Sequence, residues 1–578
     1  MFENFHPGFI FFLVGLFACV GSDKLRRMIL ACGPFLALIA IMNISPGTVK
    51  EFAFLEDWTS HYMYVDKLSW IFAFIFCIMG CIGGVYSCHN KSPLEAVCSM
   101  GYVGSSICVA LAHDWITFLF FWELMAASSL FLVWNDPRPG SRGAGIRYFL
   151  IHTLGGNFVL FGVLLKLMQG DKLVHNLTAG PHDLSFWLIF LGVVINVAMV
   201  PLHAWLVDAY PSATITGSVF MSSYTTKVAV YALLRIFGGT ELLIFGGVLM
   251  ALYGALYAVM ENDMLKLLSY HIISQVGYMV AGAGIGTVMS MNGATAHAFC
   301  DILFKSLLFM CCGGIIYATG VRRINQLGGM GKRYPLVFVC FIVGAFSIAG
   351  IPLFNGFVSK TMTIAAAGEA HWVWTGILLE LASVGTLLSI CFKMLYFIFI
   401  APDKGMAPEK TAIPSNMKIA MVMGAVCCTL IGTFPGLLYQ YLPFGEVKYV
   451  PYTAGHVLGM LQMSFIALIP FLMFLPRMEP HTATSLDTDW FYRRPLKKLF
   501  LCISYLFIAL CHSLGHAWEV GVSQFMDVCA NPMALMDARP FRVKRRYTPD
   551  NYRTAIGDTI MIILTVLFLC VFYFRTLA

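Results

Sequence analysis

Apolar runs of about twenty residues recur from one end of this chain to the other, and they confine it to one architecture. A hydrocarbon core about 30 Å thick takes roughly 20 helical residues to cross. Inside lipid, a helix satisfies its own backbone polar groups. Of 578 residues, 59% are hydrophobic and only 12% charged, against about 25% charged in a soluble domain. The expectation is an all-α polytopic membrane protein. Spans are read at 8–21, 28–45, 68–88, 94–112, 115–135, 147–169, 186–210, 213–236, 241–260, 264–285, 290–319, 335–365, 372–400, 416–440, 457–476 and 553–574. That makes about 16 transmembrane helices. The first run, Phe9–Val20, has no basic leader and no small-residue cleavage site, so it reads as a retained helix.

Basic residues sort by side. Lys24, Arg26, Arg27, Lys91, Arg138, Arg142, Arg147, Arg322, Arg323, Lys332 and Arg333 fall in odd-numbered loops, whereas the second loop carries Glu51, Glu56, Asp57 and Asp66. The positive-inside rule then puts the odd loops in the cytoplasm and the N-terminus outside. The net charge of +7 reflects those loops, not nucleic-acid binding. The run 499–529 is apolar enough to cross, but it lies between Arg493, Arg494, Lys497 and Lys498 on one side and Arg539, Arg542, Lys544, Arg545 and Arg546 on the other. Two basic flanks favour a segment that stays on the cytoplasmic side, a lateral amphipathic helix. An ordinary crossing is the alternative. A final anchor is expected at Thr554–Phe574.

Two spans hold an internal proline, Pro201 in Val200-Pro201-Leu202-His203-Ala204-Trp205 and Pro352 in Gly350-Ile351-Pro352-Leu353-Phe354-Asn355. Proline removes a helical hydrogen bond and clashes with the preceding turn, so a helix break is expected at each. Paired interruptions point to repeats with a site at each break. Lys227–Tyr231 after the first and Lys393–Tyr396 after the second echo one another. The organisation read from this is N-terminal helices over 1–112, a core of two repeats over 113–400 (the first beginning near 94), further helices over 401–478, and a C-terminal arm over 479–578.

Ionisable residues inside the spans are the candidate site, because charge within a membrane helix is costly and marks function by default. His297, Asp301 and Lys305 recur every four residues, which places them on one helical stripe. The flanking apolar side chains are expected to face lipid or neighbouring helices. A stripe of this kind suggests a proton or ion route; an Asp–Lys pair that only fixes packing is the alternative. Glu123 is a lone carboxylate beside Trp122 and Phe121, a setting suited to a proton carrier. Lys227 lies too deep to snorkel to a surface. Lys360 follows the second break and is read either as a relay or as an interfacial lysine. His271 and Gln275 share a polar stripe. His203 and Asp208 read as loop residues at the membrane edge, and Glu380, Arg235 and Lys166 as span ends without a role. The 18 cysteines are scattered, with no Cys-x-x-Cys pair, so neither an iron–sulfur site nor a disulfide frame is expected. No histidine pair shares metal-ligand spacing with a carboxylate, and no phosphate or dinucleotide motif is present.

Trp122-Glu123, Pro201-Leu-His-Ala-Trp205, Lys227-Val-Ala-Val-Tyr231, Tyr270-His271…Gln275-Val-Gly-Tyr278, His297…Phe304-Lys305 and Gly350-Ile-Pro352…Gly356-Phe-Val-Ser-Lys360 together resemble the antiporter-like subunits of respiratory complex I. They resemble equally the corresponding subunits of Mrp-type cation/proton antiporters and of energy-converting hydrogenases. The likeness runs from about 60 to 400. It implies two inverted five-helix repeats, each forming a half-channel around a Pro-broken helix and joined by a central polar axis. Glu123 and Lys227 would serve the first half, Lys305 the centre and Lys360 the second half, with His271, His297, Asp301 and Lys393 along the pathway. The tail from Asp487-Thr-Asp489-Trp490-Phe491 resembles long-armed members whose lateral helix runs along neighbouring subunits. Two departures matter. Asn196 stands where the family usually has a lysine that pairs with the glutamate, and an amide carries no charge. Asp301 stands where histidine is usual, and is expected to engage the charge of Lys305 four residues on. The implied function is movement of protons, possibly against Na+, within a multisubunit assembly in a bacterial or archaeal cytoplasmic membrane, with other membrane subunits and lipid as partners and no cofactor. The alternative is a structural or coupling subunit whose altered first half conducts nothing. An autonomous transporter is disfavoured, since no substrate-anchoring constellation is present.

Overall fold

Short polar residues mark where the helices begin. Ser22, Asp66, Ser92, Asp114, Asp183, Asp263 and Thr287 each accept a backbone N–H from the first turn of the helix that follows, the satisfaction an N-cap supplies. The computed structural model describes residues 5–55, 58–481, 486–530 and 556–577. Its first unit, Met1–Asp489, opens with α1 (Pro7–Val20), α2 (Asp23–Met42) and a hairpin of β1 (Val49–Leu55) and β2 (Trp58–Tyr64). Then follow α3 (Lys67–Ser87), α4 (Pro93–Leu111), α5 (Trp115–Trp134), α6 (Ser141–Met168), α7 (Leu184–Asn196), α8 (Ala204–Ala209), α9 (Ile215–Met221) and α10 (Thr225–Ile236). The unit continues with α11 (Leu242–Met260), α12 (Met264–Ile285), α13 (Val288–Thr319), α14 (Met330–Arg333), α15 (Pro335–Ala349) and α16 (Asn355–Glu369). It closes with α17 (Val373–Thr386, prolonged as a π-helix over Leu387–Ile400), α18 (Ser415–Thr433), α19 (Gly436–Tyr439) and α20 (Ala454–Met473).

The protein is an integral, multi-pass membrane protein. Among the described residues eleven helices are long and apolar enough to cross a bilayer, one of them the run over 489–529. Shorter apolar helices lie at Pro7–Val20, Leu184–Asn196, Pro335–Ala349 and Gly557–Tyr573.

The core forms around α13, which packs against α12, α16, α15, α18 and α9. Every residue from Ser290 to Ile315 is buried, so of the two settings expected for its flanking apolar residues, lipid or neighbouring helices, the helices are the one found. Its 32 residues span about 48 Å at 1.5 Å per residue. Beside it, α11 and α12 approach closely through glycines. A Cβ at Gly277 would stand 2.6 Å from the Ala251 amide nitrogen, and one at Gly254 2.5 Å from the Tyr270 carbonyl. Close approach through small residues is how membrane helices gain contact without a hydrophobic driving force.

The helices break where the prolines stand, and also where no proline does. α7 stops at Asn196, the chain passes through Val197–His203 with Ala198 at φ 62°, and α8 takes over. α15 stops at Ala349, followed by Gly350 at φ 80° and Leu353 at φ 77°, before α16. The span expected at 213–236 is also divided, into α9 and α10, by a turn at Ser222–Tyr224. There the Ser222 and Ser223 hydroxyls donate to the Val219 carbonyl, a side-chain alternative to the helical ladder. The hairpin is a further departure from the sequence expectation. Its strands are short and rich in aromatic and β-branched residues (Val49, Phe52, Thr59, Tyr62, Tyr64), the composition that favours strands, but they sit in a loop read only for charge. Glu56 and Asp57 lie outside the described residues.

The short α21 (Asp489–Phe491) runs across the boundary into the second unit, Trp490–Ala578, which contains α22 (Lys497–Ala530) and α23 (Ile556–Leu577). α22 is continuous over 34 residues, about 51 Å long. The basic cluster Arg539–Arg546 and the start of the expected anchor before Ile556 lie outside the described residues.

Candidate functional site

The stripe on α13 faces two of the helix breaks, the turn between α9 and α10 and the gap between α15 and α16. Asp301 Oδ2 lies 2.7 Å from Lys227 Nζ, with both side chains wholly buried. Lys227 occupies the first turn of α10, and its ammonium also donates to the Ser222 carbonyl at 2.9 Å, at the edge of the turn between α9 and α10. Lys360 behaves in parallel at the second proline break. Lying in α16, it donates to the Ile348 carbonyl at the end of α15 (2.9 Å) and stands 4.9 Å above the Tyr278 ring. It is 3% exposed, which excludes the interfacial reading. Each lysine thus binds a carbonyl beside a helix break, a polar group that otherwise has no partner in an apolar interior.

Between them, Lys305 is also fully buried, but its Nζ has no hydrogen-bond partner among the described residues. The expectation that Asp301 engages Lys305 is therefore corrected: the carboxylate turns across to Lys227. Lys305 lies within electrostatic range of Asp301, Lys227 and Lys360. The imidazoles fill in around it. His297 Nδ1 is 3.0 Å from Ser359 Oγ, one residue before Lys360, and its Nε2 is unpartnered. His271 Nε2 is 2.7 Å from Ser389 Oγ on the π-helical stretch, with Nδ1 unpartnered. Gln275 reaches Thr386 at 3.5 Å, and Ser223 and Ser306 join the turn after α9 to α13 at 3.2 Å. Histidines in such a setting can accept a proton on one nitrogen while the other holds a neighbour.

Other expected residues fall elsewhere. Glu123 is exposed on the surface of its unit and seats its carboxylate against Gly156 of α6, so it does not join the buried array directly. Lys393 is buried but is spent on the end of α11, donating to the Val259 and Glu261 carbonyls at 2.7 and 2.5 Å, where a cation complements the helix terminus. Asn196 is 1% exposed, and its amide meets no group but His152 among the described residues. Pro201 and Pro352 lie in the gaps between helices.

His203 lies in the turn between α7 and α8, as expected of a loop residue, but its side chain is fully buried. Its Nε2 is 3.1 Å from Asp487 Oδ1. Asp487 also accepts from Tyr253 (2.6 Å) and Tyr270 (2.5 Å), while Thr488 donates to the Pro201 carbonyl at 3.3 Å. Burial by itself would raise the Asp487 carboxyl; the hydrogen bonds and charge of His203, with the two tyrosines, hold it well below the usual carboxylate range. Asp208 forms a two-point pair with Arg147 at 2.6 and 3.1 Å. Arg235, read as a span end, holds Asp66 at 2.5 and 2.7 Å. Burial raises Asp66, but the Arg235 hydrogen bonds and charge outweigh it and keep the carboxyl low.

Among the buried polar residues that sequence reasoning missed, three hold contacts of note. Glu95 accepts from Thr214 at 2.7 Å and from Thr216 at the start of α9. His152 on α6 and Asp487 are the others. Asp487 gives no signal, since its partners are more than two hundred residues away. His152 does: it is a histidine inside an apolar span, the same criterion that picks out His271.

The family model described as NADH:quinone oxidoreductase/Mrp antiporter, TM, matches residues 112–389. An uncharacterized protein of Mycobacterium tuberculosis (strain CDC 1551 / Oshkosh) is 31% identical over 440 residues, covering 68% of each chain. The chain belongs to this antiporter-like family. The Na(+)/H(+) antiporter subunit A1 of Staphylococcus haemolyticus (strain JCSC1435) is 28% identical over 458 residues, 70% of this chain and 56% of that protein. The chain thus spans little more than half of that relative's length. Its fold is that of a chain in the Mrp complex from Dietzia sp. DQ12-45-1b, with a TM-score of 0.75 at 22% identity, covering 97% of this chain and 65% of that one.

Proposed function

We propose that this protein is an ion-translocating subunit of a multisubunit, complex I-like or Mrp-like membrane assembly. It would move protons, possibly in exchange for Na+, along the buried axis Lys227–Asp301–Lys305–His297–Lys360, with His271 beside it. The observation that carries this is Lys305. A fully buried amine without an acceptor is costly when charged, since desolvation is then uncompensated. Packing alone gains nothing from it. As a site whose charge comes and goes, it has a use. A proton arriving at Lys305, one helical turn from Asp301, competes for that carboxylate and weakens its hold on Lys227. Loss of the proton towards His297 and Lys360 restores the pair. Each position biases the next through charge in a medium of low dielectric.

About 16 crossings arranged as two inverted repeats remain the proposed topology. The breaks at Val197–His203 and Gly350–Phe354, each with a non-glycine residue at positive φ, support it. The proposed partners are other membrane subunits, with α22 lying along them. Arg493 and Arg494 before it, Lys497 and Lys498 at its start and the basic cluster Arg539–Arg546 after it support a lateral course. The relatives support a bacterial or archaeal cytoplasmic membrane.

Lys305→Ala and Lys360→Ala, each assembled into the native complex in proteoliposomes, test the reading through proton flux. Loss of flux in both is expected. Flux surviving both changes would leave a structural or coupling subunit as the better account.

A further inference from the structure

The axis reaches Lys227, while Glu123 stands on the outer surface, and nothing in the function proposed above joins them. The space between is built from α5, α6 and α7, which carry a single histidine, His152. It is 3% exposed, and apart from Asn196 neither ring nitrogen has a hydrogen-bond partner among the described residues. Asn196, at the end of α7, lies within side-chain hydrogen-bond range of it, and no other group among the described residues meets its amide. The polar atoms that this contact leaves over would cost about 1–3 kcal/mol each if they stayed dry. Ordered water is the usual partner of buried polar atoms in that position.

The surroundings give this gap two ends. Gly156 lies one turn along α6 from His152, on the same stripe. A Cβ there would collide with the Glu123 carboxylate, so the glycine is what lets Glu123 seat on this stripe. At the other end the Tyr148 ring lies tilted against the imidazole, 4.1 Å between centroids, and Trp205 meets the imidazole edge to face at 4.5 Å, itself fixed by donation to the Ile195 carbonyl at 3.0 Å. Tyr148 adjoins Thr225, whose hydroxyl also meets Tyr102 at 2.5 Å. Thr225 opens α10, two residues before Lys227.

We propose that His152, hydrated together with Asn196, is the titratable station that carries protons between Glu123 and the Lys227–Asp301 pair. The inference rests on the ion-translocating reading above. In one transfer the ring accepts a proton on one nitrogen from water on the Glu123 side and releases the other nitrogen's proton towards Tyr148 and Thr225. Reversing the tautomer resets it, with no net change in the ring.

The test uses the intact complex carrying the full chain in proteoliposomes. A potassium diffusion potential set with valinomycin drives transport, and an entrapped pH dye reads proton flux. His152→Phe and His152→Gln should each lower flux at least tenfold in normally assembled complex. Asn196→Lys in the His152→Phe background should bring it back to within threefold of the unaltered protein, because an amine then stands at the same gap. Lys305→Ala is the control. Flux within twofold of normal in His152→Gln, with Lys305→Ala inactive, overturns the station while the axis stands. A double variant as slow as His152→Phe, with Asn196→Lys alone active, overturns it too. Normal flux in both His152→Gln and Lys305→Ala removes the functional reading itself. Should His152→Phe fail to assemble, the glutamine variant, which keeps the polarity but cannot titrate, decides.

Discussion

Asp301 pairs with Lys227 on a facing helix, at 2.7 Å, and leaves Lys305, one turn along its own helix, without a partner. Removing one member of a buried pair strands the other charge, at roughly 3–5 kcal/mol. Lys227→Ala and Asp301→Ala should therefore each lower the thermal stability of the detergent-solubilised protein sharply. The double change Lys227→Met with Asp301→Leu should recover most of that loss, since apolar replacement of a whole buried pair is often neutral. Its proton flux should stay absent. A double variant no more stable than the singles would argue against the pair.

Lys305 and Lys360 should respond oppositely to methionine. Lys305 satisfies no acceptor, so Lys305→Met removes an unpaired buried amine and should raise the Tm while abolishing flux. Lys360→Met strips the Ile348 carbonyl of its donor and should cost about 1–3 kcal/mol. Unfolding followed by tryptophan fluorescence reads both.

The Asp487 contact should be acid-labile only at low pH. Its folded carboxyl lies below the ordinary range, while the free group titrates near 3.9. A depressed carboxyl contributes stability in full above the unfolded value and loses it as pH falls towards the folded one. The protection of the amides at Leu202–Ala209, corrected for the intrinsic pH dependence of exchange, should thus be flat from pH 8 to 5 and fall below about pH 4. Asp487→Ala should show fast exchange at every pH and a loss of about 3 kcal/mol.

Gly277 and Gly254 tolerate no Cβ without moving backbone. Alanine at either should separate α11 from α12 at about 1–3 kcal/mol. Gly459 of α20 has open space around its Cβ position. Gly459→Ala should be neutral to about 1 kcal/mol stabilising, from helix propensity alone. Thermal melts of the three variants make the comparison.

Membrane class, the two proline breaks and the residue types of the site can all be read directly from the chain. Each rests on local chemistry: run length against bilayer thickness, a missing amide hydrogen at proline, and the cost of charge in an apolar helix. Helical period alone places His297, Asp301 and Lys305 on one stripe, and α13 keeps that stripe. The turn at Ser222–Tyr224 is not legible, because serine back-bonding breaks a helix only where neighbouring elements favour it. The hairpin is hidden because Lys50, Glu51, Glu56 and Asp57 mark the stretch as a charged loop between two apolar runs.

Periodicity along one helix determined which groups would face the same way, but not which charge each would meet. Asp301 is four residues from one lysine and, in the fold, in contact with another seventy-four residues away. The same holds for Glu123, turned to the outer face by the packing of α5 on α6, and for His203, buried by an aspartate from the far end of the unit. Helical repeat is a local property and follows from the chain; the partner of a buried charge is set by which helices pack together, and only the tertiary structure decides that.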